Sequence, residues 1–146
     1  MKQKQKRFIV QIVLHKCQDL AAADLDILGG KSDPYVNFTL GGVTKKSSCI
    51  KKNLNPEWMP PERFDFKLDE WENKFVIADV FDHDRFGKDD LIGSAVIPLS
   101  LFAGNRHSEV YSYPLVVPEK MSGPRSDLFL QISLSTIDGN STDYYY

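Results

Sequence analysis

Aspartate is concentrated in two short parts of this 146-residue chain. Eight of the fourteen aspartates fall there: Asp24, Asp26, Asp33, Asp79, Asp82, Asp84, Asp89 and Asp90. Carboxylates packed at this density repel one another and raise one another's pKa, and a bound cation relieves that repulsion. Aspartate also favours turns, so a pair of solvated turns is the alternative interpretation. The first interpretation predicts a cation site where the two segments meet.

The second acidic segment, residues 82–90, has the spacing of a cation-binding loop. Its carboxylates Asp82, Asp84 and Asp90 stand at relative positions 1, 3 and 9. The first two therefore point the same way from an extended turn, and the third can close back on them. Oxygen ligands suit a hard cation, and calcium accepts the irregular geometry of a loop more readily than magnesium does. The segment predicts a calcium site.

Two other motifs share part of this pattern and are disfavoured. An EF-hand loop beginning at Asp82 needs a bidentate glutamate at its twelfth position, where this chain has Gly93, and its fifth position is Phe86. An Asp-x-Asp phosphatase would use a carboxylate as nucleophile on a parallel α/β sheet, but this chain lacks interleaved helices. His15 and His107 lack a paired nucleophile, and no Gly-x-Ser-x-Gly elbow occurs. We expect no enzymatic activity.

The elements that must position these carboxylates are strands. Apolar runs of five to nine residues recur between Gly, Pro, Asn and Asp, without the period of a helix. The predicted strands are 7–16, 34–40, 43–51, 63–68, 74–81, 91–99, 108–115 and 127–135. We expect an all-β fold, an eight-stranded antiparallel β-sandwich with the acidic loops at one end.

Turn residues divide the chain further. Gly41-Gly42 predicts a hairpin turn, and Asn55-Pro56 and Pro60-Pro61 predict loops. Residues 100–105 predict one helical turn. We expect a basic tail over residues 1–7, one domain over residues 8–136 and a disordered tail over residues 137–146.

Composition narrows the functional classes. With 42% hydrophobic residues, 26% charged residues and a net charge of −2, the chain is typical of a soluble globular domain and has no general attraction for nucleic acid. Cys17 and Cys49 lack metal-binding spacing and predict free thiols in a reducing compartment. The longest apolar run, residues 8–14, is too short for a membrane span of about twenty residues. These features predict a cytoplasmic protein.

Three motifs follow one another along the chain. Residues 25–36 end in Ser-Asp-Pro-Tyr-Val, residues 53–58 read Asn-Leu-Asn-Pro-Glu-Trp, and residues 80–93 contain Asp82, Asp84 and Asp90. In this order they resemble the first calcium loop, the Thr-Leu-Asn-Pro-x-Trp turn and the third calcium loop of the C2 domain of synaptotagmins, protein kinase C and phospholipases. The resemblance covers about residues 8–135. The strand order is similar to the type II circular arrangement, in which the strand that type I domains carry first comes last.

The resemblance implies a set of calcium ligands. Its carboxylates are Asp26, Asp33, Asp82, Asp84 and Asp90, and its backbone carbonyls are those of Ile27 or Leu28 and of His83. One more residue than is commonest in the family separates Asp26 from Asp33, so Asp24 is the substitute for Asp26.

The resemblance also implies a membrane-facing tip. Family members insert apolar tip residues into the bilayer and meet phosphates with basic ones, and these positions hold Ile27, Leu28, Lys31, Arg85, Phe86 and Lys88. A lysine-rich face binds phosphoinositides in some relatives, and the partial match here is Lys45, Lys46, Lys51 and Lys52. A solvated charged edge that discourages strand pairing is the alternative for these lysines.

Two functional hypotheses follow. The first is a calcium-dependent peripheral membrane-binding module of signalling or vesicle trafficking, with Ca²⁺ as cofactor and anionic phospholipid as partner. Five carboxylates at one rim would repel anionic headgroups, and bound calcium would nearly cancel that repulsion and recruit the protein to the membrane periphery. The second is a C2-type protein-interaction or scaffold domain in which calcium is structural or incidental. Protein partners are open under both, and neither involves nucleic acid.

Overall fold

The computed structural model describes residues 7–23, 32–104, 109–119, 121–122 and 125–137. These residues form the strands β1 Phe8–Gln18, β2 Ala22–Ala23, β3 Pro34–Leu40, β4 Val43–Lys46, β5 Glu57–Leu68, β6 Phe75–Asp82, β7 Asp90–Pro98, β8 Val110–Pro114, β9 Met121–Ser122 and β10 Asp127–Thr136. A 3-10 helix spans Leu99–Phe102, where the sequence predicts one helical turn.

Eight of these strands form two four-stranded antiparallel sheets. One has the order β5-β1-β10-β8 and the other the order β4-β3-β6-β7, while the short strands β2 and β9 pair separately. The predicted all-β sandwich is confirmed. The last strand pairs with the first along its length, from Phe8 opposite Thr136 to Gln18 opposite Asp127, as the type II arrangement predicts.

The core lies between the two sheets because successive side chains of each strand point to opposite faces. In β10 every second residue from Leu128 to Leu134 is buried, and in β1 the same alternation buries Val10, Ile12 and Leu14. Full burial of each such side chain contributes roughly 1.5–3 kcal/mol. A register slip of one residue would move the whole set to solvent, so burial fixes the pairing that positions the loops.

The strand β4 is shorter than predicted. It ends at Lys46 rather than at residue 51. The next residue, Ser47, is buried, and its hydroxyl accepts a hydrogen bond from the Val36 N–H at 2.8 Å. A side-chain oxygen thus takes the place of a backbone carbonyl of β4, and the ladder stops.

The strand β5 is longer than predicted. It begins at Glu57 rather than at residue 63 and runs through Pro60 and Pro61, so the prediction of a loop at these prolines is wrong. The strand forms one edge of its sheet. Proline is tolerated there because its missing N–H can face solvent instead of a neighbouring strand.

The turn of residues 53–56 joins the two sheets at one end of the sandwich. Its Leu54 carbonyl accepts a hydrogen bond from the Leu20 N–H, just beyond β1, at 2.9 Å. Its Asn53 N–H donates to the Ser32 carbonyl, just before β3, also at 2.9 Å. The chain therefore leaves one sheet and enters the other at the same end of the molecule.

The first and last strands end together at the other end of the sandwich. Phe8 lies opposite Thr136, and the Ile137 N–H donates to the Arg7 carbonyl at 2.9 Å. The eleven residues of β1 separate this end from the 53–56 turn, a distance of roughly 35 Å at the rise of an extended strand.

Candidate calcium and membrane site

Three of the predicted ligand aspartates lie where strands begin or finish, at the same end of one sheet. Asp33 directly precedes β3, Asp82 ends β6 and Asp90 begins β7. In the two ladders Pro34 lies opposite Asp82, and Asp82 lies opposite Asp90. Strand pairing therefore brings carboxylates from two distant parts of the sequence to one end of the sandwich.

Hydrogen bonds hold Asp33 and Asp82 side by side. The Asp33 N–H donates to Oδ1 of Asp82 at 2.9 Å, and the His83 N–H donates to the Asp33 carbonyl at 2.9 Å. The Lys52 N–H donates to Oδ1 of Asp33 at 2.7 Å. Both aspartates are half-buried. Two backbone N–H groups therefore hold their carboxylates, and a third holds the Asp33 backbone.

The charged form of Asp82 is disfavoured in this position. Burial raises the pKa of the Asp82 carboxyl, and the neighbouring charges of Asp33 and Asp90 raise it further. Hydrogen bonds from the Asp33 N–H and the Ser32 side chain act in the opposite direction without cancelling the rise. A cation beside Asp82 would lower its pKa, because an opposite charge favours the ionised form.

The loop between β6 and β7, residues 83–89, curls around Asp84. Oδ1 of Asp84 accepts a hydrogen bond from the Phe86 N–H at 2.9 Å, as in an Asx turn. A Cβ at Gly87 would lie 3.2 Å from Oδ2 of Asp84, so this approach favours glycine. Phe86 is 93% exposed, and Arg85 and Lys88 are exposed on either side of it. An apolar side chain between two basic ones stands at the loop tip.

The donor set at this end is chemically suited to calcium, because carboxylate and carbonyl oxygens are the ligands that this hard cation prefers. Across the ranges that the structure describes, no three His, Cys, Asp or Glu side chains are grouped closely enough to hold a metal ion. Oδ1 of Asp33 and Oδ1 of Asp82 each accept a backbone N–H in this conformation. The predicted residues Asp24, Asp26, Ile27, Leu28 and Lys31 lie outside the described residues.

The lysines of the predicted basic face point in different directions. Lys45 and Lys46 are successive residues of β4 and therefore face opposite sides of the sheet. The Nζ of Lys45 donates to a backbone carbonyl of β5 at 2.5 Å, whereas the Nζ of Lys46 lies 4.2 Å from the centre of the Tyr35 ring. Lys51 and Lys52 are exposed in the turn that follows β4.

Asp89 has contacts at this site that were not predicted from its place in the sequence. The Tyr35 hydroxyl donates to Oδ2 of Asp89, and the Asp84 N–H donates to Oδ1 at 2.9 Å. The available signal was the doublet of Asp89 and Asp90. A doublet does not show which of two neighbouring carboxylates turns toward the strand and which toward the loop tip.

A family model of the C2 domain matches residues 8–115. The chain belongs to the C2 domain family. The last strand of this C2 domain, β10, lies beyond the matched range and pairs with β1 throughout its length. The resemblance that the three motifs carry is therefore confirmed.

Relatives of this C2 domain are much longer proteins. It is 35% identical over 115 residues to a C2 and GRAM domain-containing protein of Arabidopsis thaliana, which covers 77% of this chain and 11% of the relative. It is 42% identical over 94 residues to multiple C2 and transmembrane domain-containing protein 1 of Homo sapiens, which covers 64% of this chain and 9% of the relative. The chain thus spans about a tenth of these curated relatives.

A calcium-bound structure of two C2 domains of extended synaptotagmin 2 has a similar fold. The TM-score is 0.71 at 27% identity, covering 88% of this chain and 45% of that one. This C2 domain is therefore related to those of the extended synaptotagmins. Within the described ranges, no helix has the length and apolarity needed to cross a membrane.

Proposed function

We propose that this C2 domain is a calcium-dependent peripheral membrane-binding module that binds anionic phospholipid through its aspartate-lined loops. The observation that supports this most directly is the 2.9 Å hydrogen bond from the Asp33 N–H to the Asp82 carboxylate. It joins the two acidic segments at one end of the sandwich, where the next loop exposes Phe86. Calcium and the membrane would then bind the same end of the molecule.

The proposed ligands come from both acidic segments. They are Asp33, Asp82, Asp84 and Asp90, with Asp26 or its substitute Asp24 and with the carbonyls of Ile27 or Leu28 and of His83. Calcium, when bound, supplies positive charge and coordination positions that a lipid phosphate or carboxylate can fill. Without it, the carboxylates are repelled by anionic headgroups at about 1 kcal/mol per charge near the surface. Calcium and lipid should therefore each tighten the binding of the other.

The tip side chains act once this repulsion is removed. Transfer of Phe86 from water into the acyl region contributes about 1.5–3 kcal/mol when complete, and less when insertion is shallow. Arg85 and Lys88 are exposed beside it and can donate charge-assisted hydrogen bonds to lipid phosphates. The proposed contacts from the first loop are Ile27, Leu28 and Lys31. Because the sandwich holds the loop bases, contact needs only local rearrangement.

We further propose that the domain comprises residues 8–136, since β10 completes a sheet by pairing with β1 and β8. In this proposal the domain is cytoplasmic and has no catalytic activity, and calcium recruits it to the membrane periphery.

A second candidate function is that of a C2-type protein-interaction or scaffold domain in which calcium is structural or incidental. An exposed apolar row on the outer face of the β4-β3-β6-β7 sheet favours it. Ile77 lies opposite Val96, and Phe75, two residues before Ile77, lies opposite Pro98. The side chains of Phe75, Ile77 and Val96 are exposed. Exposed apolar patches often mark contacts with other proteins. The row lies toward the end of β7 away from Asp90, so its use would not involve the acidic loops.

Sedimentation with phosphatidylserine vesicles separates these functions. The membrane module is expected to pellet in calcium and to stay in solution with chelator or with phosphatidylcholine vesicles. The variant Asp82→Asn, Asp84→Asn should stay in solution in calcium. The variant Asp65→Asn, Asp69→Asn removes the same number of charges, but from β5 and the residue just after it, and should pellet like the wild type. Equal sedimentation of the wild type in calcium and chelator would refute the proposal and favour the scaffold.

A further inference from the structure

Asp89 connects the third loop to a neighbouring strand through both of its carboxylate oxygens. Oδ2 accepts the hydroxyl of Tyr35, which belongs to β3. Oδ1 accepts the Asp84 N–H at 2.9 Å, and Nδ1 of His83 lies 3.3 Å from the same oxygen. One side chain therefore holds the start of the loop and the strand beside it at a fixed separation.

The Tyr35 hydroxyl is a rigid donor. Tyr35 is buried, its ring stacks on that of Phe81 with 5.6 Å between centroids, and the Lys46 ammonium lies over it. Its hydroxyl donates to Oδ2 of Asp89. A hydrogen bond from a hydroxyl to a carboxylate is charge-assisted and stronger than one between neutral groups.

We infer that Asp89 is a positioning residue, which holds residues 83–89 against β3 so that Asp84 is in place before calcium arrives. This inference rests on the calcium role proposed above for Asp84. The backbone of Asp84 is held by Asp89, and its side chain in turn accepts the Phe86 N–H. One chain of hydrogen bonds therefore runs from Tyr35 to the exposed loop tip.

A ligand role for Asp89 is the competing interpretation, because Asp89 stands next to the proposed ligand Asp90. The described contacts argue against it, since both oxygens of Asp89 already accept hydrogen bonds from the protein. The two roles differ in the part they give Tyr35. If Asp89 acts through the loop, loss of the phenolic hydroxyl on β3 should weaken calcium binding about as much as loss of Asp89 itself.

The first test measures water exchange of the Asp84 amide by NMR in the calcium-free protein. Tyr35→Phe and Asp89→Ala should each speed exchange about three- to ten-fold, the effect of losing one modest hydrogen bond, and the double variant should add nothing further. Tyr113→Phe changes a half-buried tyrosine on β8 and should leave it unchanged. Amides of the buried Ile132 report global opening and should not respond. Wild-type exchange at Asp84 in both variants overturns the inference.

The second test measures calcium affinity of the same variants by titration calorimetry. Tyr35→Phe and Asp89→Ala should weaken binding by a similar factor, about three- to ten-fold, with the double variant no weaker than either. Loss of affinity in Asp89→Ala alone would identify Asp89 as a ligand and overturn the inference. Absence of calcium binding by the wild type would refute the proposed function, whereas the exchange test still decides whether Asp89 orders the loop.

Discussion

Replacing Phe86 with alanine should weaken calcium-dependent vesicle binding without changing the stability of the fold. Phe86 is 93% exposed, so nearly all of its surface is available to the bilayer and its removal leaves no cavity in the domain. Complete transfer of a phenylalanine side chain from water contributes about 1.5–3 kcal/mol. Insertion to about half of full depth contributes about half of this, so its loss in Phe86→Ala should lower vesicle affinity by roughly four- to twelve-fold.

The assay is a sedimentation titration with phosphatidylserine vesicles at fixed calcium, beside thermal denaturation in chelator. Leu101→Ala is the matched control, because Leu101 is 58% exposed in the 3-10 helix that follows the opposite end of β7. The control should bind like the wild type, and both variants should keep the wild-type melting temperature. Phe86→Trp should retain binding, with tryptophan emission shifted to the blue on vesicles. Unchanged affinity of Phe86→Ala, or an equal loss in the control, would refute insertion of this tip.

Four further predictions concern stability. Calcium at about a hundred times its Kd should stabilise the wild type by about 2.7 kcal/mol, and Asp82→Asn should remove this gain. Because the pKa of Asp82 is raised, ionisation of Asp82 destabilises the fold. In chelator at pH 7, Asp82→Asn should therefore have a higher melting temperature than the wild type, and the difference should shrink as the pH falls through the pKa of Asp82. A lower melting temperature of Asp82→Asn would contradict this. Ser126→Ala removes a buried hydroxyl that hydrogen-bonds two backbone groups of residues 19–21. It should lower the free energy of unfolding, measured in urea, by about 1–3 kcal/mol. A decrease of only a few tenths of a kcal/mol would contradict this prediction. Gly41→Ala should destabilise more than Gly42→Ala, since both have positive φ but only a Cβ at Gly41 meets a leucine methyl, at 2.8 Å; equal melting temperatures would count against the clash.

The main strands were predictable because local patterns and burial agree. The strand β3 has the predicted bounds, since its apolar run ends at the glycine pair of the hairpin turn. In β10 the alternation of buried and half-buried residues continues from Asp127 to Thr136. Such patterns lie within one stretch of sequence, and burial of one face then decides the register.

The boundaries that failed depend on contacts between distant segments. β4 stops because the Ser47 hydroxyl bonds the Val36 N–H. β5 continues through Pro60 because it forms a sheet edge. Neither the partner of a serine hydroxyl nor the place of a strand in its sheet can be read from neighbouring residues.

The candidate site likewise has a part that could be predicted from the sequence and a part that depends on contacts between distant segments. The motifs predicted that Asp33 and Asp82 belong to one site, and strand pairing places them side by side. The separate role inferred for Asp89 depends on the Tyr35 hydroxyl, 54 positions away in the chain. Spacing alone treats Asp89 and Asp90 as equivalent carboxylates.

The meeting of the first and last strands at the end away from the acidic loops decides how this domain responds to mechanical force. Tension between residues 7 and 137 pulls apart Phe8 and Thr136 and opens the ladder one rung at a time. Tension between the loop end and either residue runs along the strands and loads many hydrogen bonds at once, because these bonds lie across the strands. A domain held at its acidic loops should therefore unfold at a much higher force than one pulled between residues 7 and 137.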